Sequence, residues 1–343
     1  MTSQRIEWLD LVRGLAAIAV VVFHYQAYLQ VRHAGYGLTA VDIFFALSGI
    51  VLALKYTQAI ESGMGPLEFA GVRLRRLYPM VLVAGTFIVA LDLAGVPSGA
   101  SMPAADTDAW AIFLVMPVST GGMNSAFPAD PPMWSFWAEL AANAVWFVVL
   151  KFGRRWMFPL GVASMAILIF ATLRANNLNL GWEAGGLYRL ISVARALAWF
   201  SVGCAIAMRP STLRMSAVML VAALTVFVVV AHFAGGREGL NQFLCATTGV
   251  ALLNLAYRLP SPGMALGAIS RWLGMLSFPL YMMHAPAGRL LPYVHGLPRW
   301  ATLVLVVGAA ALAATLVNES LVDRVNRFYR ERRKASPARI GEG

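Results

Sequence analysis

Leu9 to Leu29 is an apolar run broken by two residues able to carry charge, Arg13 and His24. About 20 apolar residues at roughly 1.5 Å each cover a hydrocarbon core of about 30 Å, so the run reads as a membrane-crossing helix. Arg13 and His24 are eleven positions apart. At about 100° per residue this is three turns plus roughly 20°, so the two share a face, roughly 16 Å apart along the axis. Asp10 lies about 40° off that line. An ionisable residue inside a span is costly and usually faces a bundle interior or a wet cavity. Two readings stand for this pair. Arg13 snorkels to the interface and His24 is a hydrogen-bonded structural histidine, or both belong to a polar working face. The shared face favours the second.

The rest of the chain repeats the pattern. Hydrophobic residues make up 59% and charged residues only 13% of the 343, which excludes a soluble enzyme and indicates a polytopic, all-α membrane protein. Ten spans are expected, at roughly 9–29, 38–57, 78–95, 134–151, 156–173, 187–208, 214–233, 240–258, 270–291 and 300–322. Pro279 interrupts the ninth and should kink it. With the N-terminus inside, the inner connections and tail hold 19 of the 27 Lys and Arg, the outer connections six, and Arg13 and Arg195 lie within spans. That asymmetry puts both termini in the cytoplasm. It also accounts for the net charge of +11 without a nucleic-acid partner, the tail reading as a membrane-surface segment. A single transmembrane domain over 1–323 with a basic cytoplasmic tail over 324–343 is expected. Cys204 and Cys245 both sit in apolar runs, which suggests neither a disulfide framework nor a metal site. The first run is long enough to span and no small-residue cleavage site follows it, so no cleavable signal peptide is expected.

Two connections stand out. The inner one, Thr57 to Leu77, carries Arg73, Arg75 and Arg76 before Tyr78-Pro79. The outer one, Val96 to Met133, is long, lacks Lys and Arg, and ends in Pro131-Pro132-Met133-Trp134. A long loop without an element of its own is commonly functional or disordered.

Topology gives each polar residue a height. His24, Asp42, Glu139 and His284 all fall in the outer halves of their spans, with Trp134, Phe136 and Trp137 beside them. Asp42 and Trp134 also fit as interfacial anchors. A histidine beside a carboxylate can take a proton from a hydroxyl, the carboxylate orienting the ring, so His24 with Asp42 or Glu139 suits general-base work. Depth alone leaves open which pair touches. The inner half holds Arg13, Arg73 and Arg76, and arginine binds phosphate through a planar fork. The cluster also fits as a topology determinant. Arg195, near mid-span, needs a partner. A polyanion docking from the cytoplasm, with acid–base chemistry towards the outside, describes group transfer across the bilayer and equally a proton-coupled transporter.

Several stretches resemble the membrane acyltransferase-3 family. Leu9-Asp10-Leu11-Val12-Arg13-Gly14-Leu15-Ala16 followed by Phe23-His24 resembles its opening motif, an Arg and a His separated by ten residues. Val41-Asp42-Ile43-Phe44-Phe45-Ala46-Leu47-Ser48-Gly49 resembles its second-helix signature, and Arg73-Leu74-Arg75-Arg76-Leu77-Tyr78-Pro79 its Arg-rich inner segment. Met133-Trp134-Ser135-Phe136-Trp137-Ala138-Glu139 is similar to its Trp-Ser…Glu motif, and Ser277-Phe278-Pro279-Leu280-Tyr281-Met282-Met283-His284 to its ninth-helix stretch. Two places depart from the pattern: Leu140-Ala141-Ala142 follows Glu139, and Asp323-Arg324-Val325 lacks a Pro.

The resemblance implies a ten-helix core in a bacterial-type inner membrane, a cytoplasmic acyl-CoA donor, most simply acetyl-CoA, and an extracytoplasmic acceptor. The expected activity is O-acylation of a saccharide or lipid-linked saccharide, without a metal. His24 would be the general base, oriented by Asp42 or Glu139, with His284 close by. Arg13, Arg73 and Arg76 would hold the donor. The rivals are a proton-coupled secondary transporter and a non-catalytic subunit of a polysaccharide assembly complex.

Overall fold

Eleven α-helices and no strand are found among the described residues of the computed structural model, which are 6–31, 36–97, 109–117, 127, 130–178, 180, 186–208 and 239–335. In chain order they are α1 Glu7–His24, α2 Gln26–Leu29, α3 Tyr36–Glu61, α4 Pro66–Leu93, α5 Ala109–Leu114 and α6 Met133–Phe152. They continue with α7 Met157–Ala175, α8 Gly186–Met208, α9 Gly239–Arg258, α10 Met264–Gly288 and α11 Arg299–Ala335. Among the described residues six helical stretches, in α3, α4, α6, α7, α8 and α11, are long and apolar enough to cross a membrane. This is an all-helical integral membrane protein. Helix α1 is as apolar as several of these but carries three charged residues, Glu7, Asp10 and Arg13, in its first two turns. The expected span 214–233 lies outside the described residues.

Three expectations change. The inner segment Thr57–Leu77 is not a loop: α3 runs to Glu61 and α4 begins at Pro66, so Arg73, Arg75 and Arg76 are helical. Pro66 sits in the first turn behind an extended Gly65, a position where its fixed φ suits a helix and its missing N–H costs nothing. Tyr78-Pro79, read as an opening, lies inside the helix with Pro79 buried; a membrane bundle tolerates such a proline. The long outer connection has an element of its own, α5, which packs on α4 through a hydrogen bond from Tyr78 Oη to the Phe113 carbonyl (2.9 Å). The last helix continues to Ala335.

Two close seams position the polar residues. Helices α1 and α10 run parallel: Glu7 pairs with Arg271, Arg13 meets Gly274, and His24 meets His284. Helices α3 and α8 also run parallel. A Cβ on Gly49 would collide with the Phe200 carbonyl, and one on Gly203 with the Ala46 carbonyl. Small residues at such crossings let membrane helices approach backbone to backbone. The ends are tied by Arg154 to Glu61 (2.5 Å) and Arg289 to Asp92 (2.5 Å).

Candidate active site

The α1–α10 seam is built on glycines. Gly14 lies against Leu273 and Gly274 against Asp10, with no room for a Cβ at either. That closeness lets Arg13 Nη2 donate to the Gly274 carbonyl (2.6 Å) and to Asp10 Oδ1 (3.0 Å). Three turns further along α1, the His24 ring lies beside the His284 ring, with centroids 4.8 Å apart and planes tilted by 50°.

Each ring is fixed by its own helix. His24 Nδ1 is 2.9 Å from the Val20 carbonyl oxygen, and His284 Nδ1 is 2.6 Å from that of Tyr281. A carbonyl oxygen only accepts, so in a neutral ring Nδ1 carries the hydrogen and Nε2 keeps its lone pair. Both histidines are thus held as bases. They differ in access: the His24 residue is exposed, whereas His284 is fully buried and its Nε2 has no hydrogen-bond partner among the described residues. Two tyrosines frame the pair. Tyr25 Oη donates to the His284 carbonyl (2.7 Å), and Tyr281 Oη lies 2.6 Å from Ser135 Oγ and 3.0 Å from the Pro132 carbonyl. The arrangement can accept a proton at His24 from a hydroxyl that reaches Nε2.

Neither carboxylate expected to orient His24 bonds to it. Asp42 Oδ1 and Oδ2 accept from Arg195 Nε (2.7 Å) and Nη2 (2.9 Å) at the α3–α8 seam. Arg195 also donates to the carbonyls of Leu178 (2.7 Å) and Leu180 (3.3 Å), and its guanidinium lies 5.5 Å from the Trp134 ring centroid. Glu139 Oε1 accepts from Ser48 Oγ (2.7 Å) and Arg73 Nη2 (2.9 Å). Depth was the only guide to these pairings, and depth carries no azimuth. Asp42 and Glu139 turn towards arginines on α8 and α4 instead of towards α1.

The arginine cluster divides in the same way. Arg73 is buried and committed to Glu139, whereas Arg76, one turn on, is exposed. The Arg13 side chain keeps 26% of its surface accessible. Sequence reasoning missed Tyr25, Tyr281 and Ser135. Tyr281 was legible in principle, one turn before His284 in a stretch already singled out; Tyr25 follows His24 directly.

A family model described as an acyltransferase domain matches residues 6–318. Among curated proteins, "Protein 2 in picA locus" of Rhizobium radiobacter is 33% identical over 161 residues, covering 42% of this chain and 81% of that protein. No solved structure matches.

Proposed function

This chain belongs to the membrane acyltransferase-3 family, and from that premise we propose that it moves an acetyl group from cytoplasmic acetyl-CoA to a hydroxyl of an extracytoplasmic saccharide. The observation that carries the reading is the exposed His24, its Nδ1 held on the Val20 carbonyl so that Nε2 is free to act as base. His24 Nε2 takes the acceptor's hydroxyl proton as the oxygen attacks the thioester carbon. The C–S bond breaks, the acetyl ester forms, and the imidazolium returns the proton to the departing thiolate. His284 stands behind His24 and holds it in place through ring contact.

In the same proposal the chain crosses the inner membrane ten times with both termini cytoplasmic. Arg13 then lies at the donor end of α1 and His24 at the acceptor end. Arg76, exposed on α4, meets the CoA phosphates together with Arg13. Arg73 acts on the donor by positioning, since one arm of its fork holds Glu139.

The test is transfer from radiolabelled acetyl-CoA to an extracted envelope saccharide by protein in lipid nanodiscs, with no gradient present. The expected result is a labelled ester with one CoA thiol released per ester. Arg76→Ala should raise the KM for acetyl-CoA about 10- to 100-fold, the value of a charge-assisted hydrogen bond. Absence of both ester and thiol release overturns the proposal, and transport of a solute that needs a proton gradient replaces it.

A further inference from the structure

Asp130 lies in the connection that leads into α6, three residues before Met133, and is 0% exposed. Among the described residues neither of its carboxyl oxygens has a hydrogen-bond partner. Buried carboxyl groups in folded proteins are ordinarily capped, paired or hydrogen-bonded, because an unmatched one is costly. Asp130 does none of these things. An Asp at this place would normally cap the helix that follows, but no side chain caps α6. Nor does Asp130 enter an ion pair among the described residues.

Its segment reaches the frame of the histidine pair, the hydroxyls of Tyr25 and Tyr281. The carbonyl of Pro132, two residues on from Asp130, lies 3.0 Å from Tyr281 Oη, and the Tyr281 and His284 ring centroids are 5.8 Å apart. Those hydroxyls are already engaged, Tyr25 with the His284 carbonyl and Tyr281 with Ser135 and the Pro132 carbonyl. Two carboxyl oxygens are therefore left unfilled in the segment that meets Tyr281.

We propose that Asp130 is the acceptor-binding residue, its carboxyl oxygens holding hydroxyls of a saccharide whose adjacent hydroxyl is acylated at His24. This assignment rests on the acyl-transfer reading above and adds to it the residue and the chemistry recognised, a neutral polyol with neighbouring hydroxyls. Burial also pushes the Asp130 carboxyl well above the usual carboxylate range. A protonated carboxyl donates one hydrogen bond and accepts others, which matches the dual character of a sugar hydroxyl. A cationic amine acceptor would call for a charged partner instead.

The experiment uses full-length protein in nanodiscs, radiolabelled acetyl-CoA, and a panel of methyl hexopyranosides with their monodeoxy derivatives. Wild-type protein should transfer to at least one parent glycoside and more slowly to the derivative lacking one neighbouring hydroxyl. Asp130→Leu should raise the acceptor KM about 2- to 10-fold, the range of a neutral hydrogen bond, and erase most of the parent-to-deoxy difference, whereas Asp130→Asn, which also donates and accepts, should keep most of both. The Kd for acetyl-CoA, titrated directly, should stay within about twofold. Because the carboxyl has no partner to lose, neither variant should lower the Tm. Unchanged acceptor KM in Asp130→Leu overturns the assignment, and so does a Tm lowered by several degrees in both variants, which would make Asp130 structural. Failure of wild-type protein to acylate any glycoside overturns the saccharide reading itself, and this assignment with it.

Discussion

Two parallel helix seams bury ionisable groups in this bundle, and they bury them in opposite conditions. At the α3–α8 seam, Asp42 and Arg195 are 0% and 1% exposed, and their groups are matched: two parallel N–H···O bonds, two backbone carbonyls and an aromatic face. At the α1–α10 seam, His284 Nε2 has no partner among the described residues, and the His24 residue is exposed. A matched buried pair is held in one arrangement and has no capacity left for a ligand. A seam with free lone pairs has that capacity, at a cost in stability that a purely structural contact would not carry. On this contrast the α3–α8 seam holds the bundle and the α1–α10 seam is the one suited to chemistry.

The sharpest way to break this comparison is to unmatch the matched seam. Arg195→Met leaves Asp42 buried without a counter-charge and should cost about 3–5 kcal/mol, seen as loss of monodisperse protein or a collapse in Tm. Adding Asp42→Leu to Arg195→Met should restore most of the loss, because an apolar pair of similar volume replaces an ion pair with little penalty. A single variant as stable as wild type would deny the seam its structural role.

A smaller effect is expected from packing at the same seam. Gly203→Ala places a methyl group on the Ala46 carbonyl and forces α3 and α8 apart. Overpacking of this kind typically costs about 1–3 kcal/mol. Thermal unfolding should report it, and an unchanged Tm would show that the two backbones are not in contact.

The smallest predicted change sharpens the other side. Tyr25→Phe removes one hydrogen bond to the His284 carbonyl, worth about 0.5–1.5 kcal/mol. Turnover should fall a few-fold with donor affinity unchanged. A large loss of Tm instead would mean that the frame around the histidines is structural as well.

How much of this was legible in the sequence depends on the kind of information each feature needs. Apolar runs and helical period place helices well, so α6 and α7 lie close to the expected 134–151 and 156–173. The eleven-residue spacing of Arg13 and His24 put both on one face, and both do meet the same neighbour, α10. Prolines misled at Tyr78-Pro79, because a proline inside a membrane helix has the same local signature as one that opens it. Pairing between helices was beyond reach, since heights along the membrane normal do not say which way a side chain turns. For that reason Arg195 was known to need a partner but not that the partner was Asp42, and Glu139 was set beside His24 when it holds Arg73. Asp130 gave no signal at all, because an acid in a loop before a helix reads as an ordinary cap.

The central claim is that His24 acts as a base and not as a packing residue. His24→Gln keeps a polar side chain of similar reach but cannot take up a proton at neutral pH. The account predicts a loss of about 10²–10⁴ in the rate of acetyl transfer, with Tm and acetyl-CoA affinity as in wild type. Near-normal turnover in His24→Gln would contradict it, and would move the search for the base to His284.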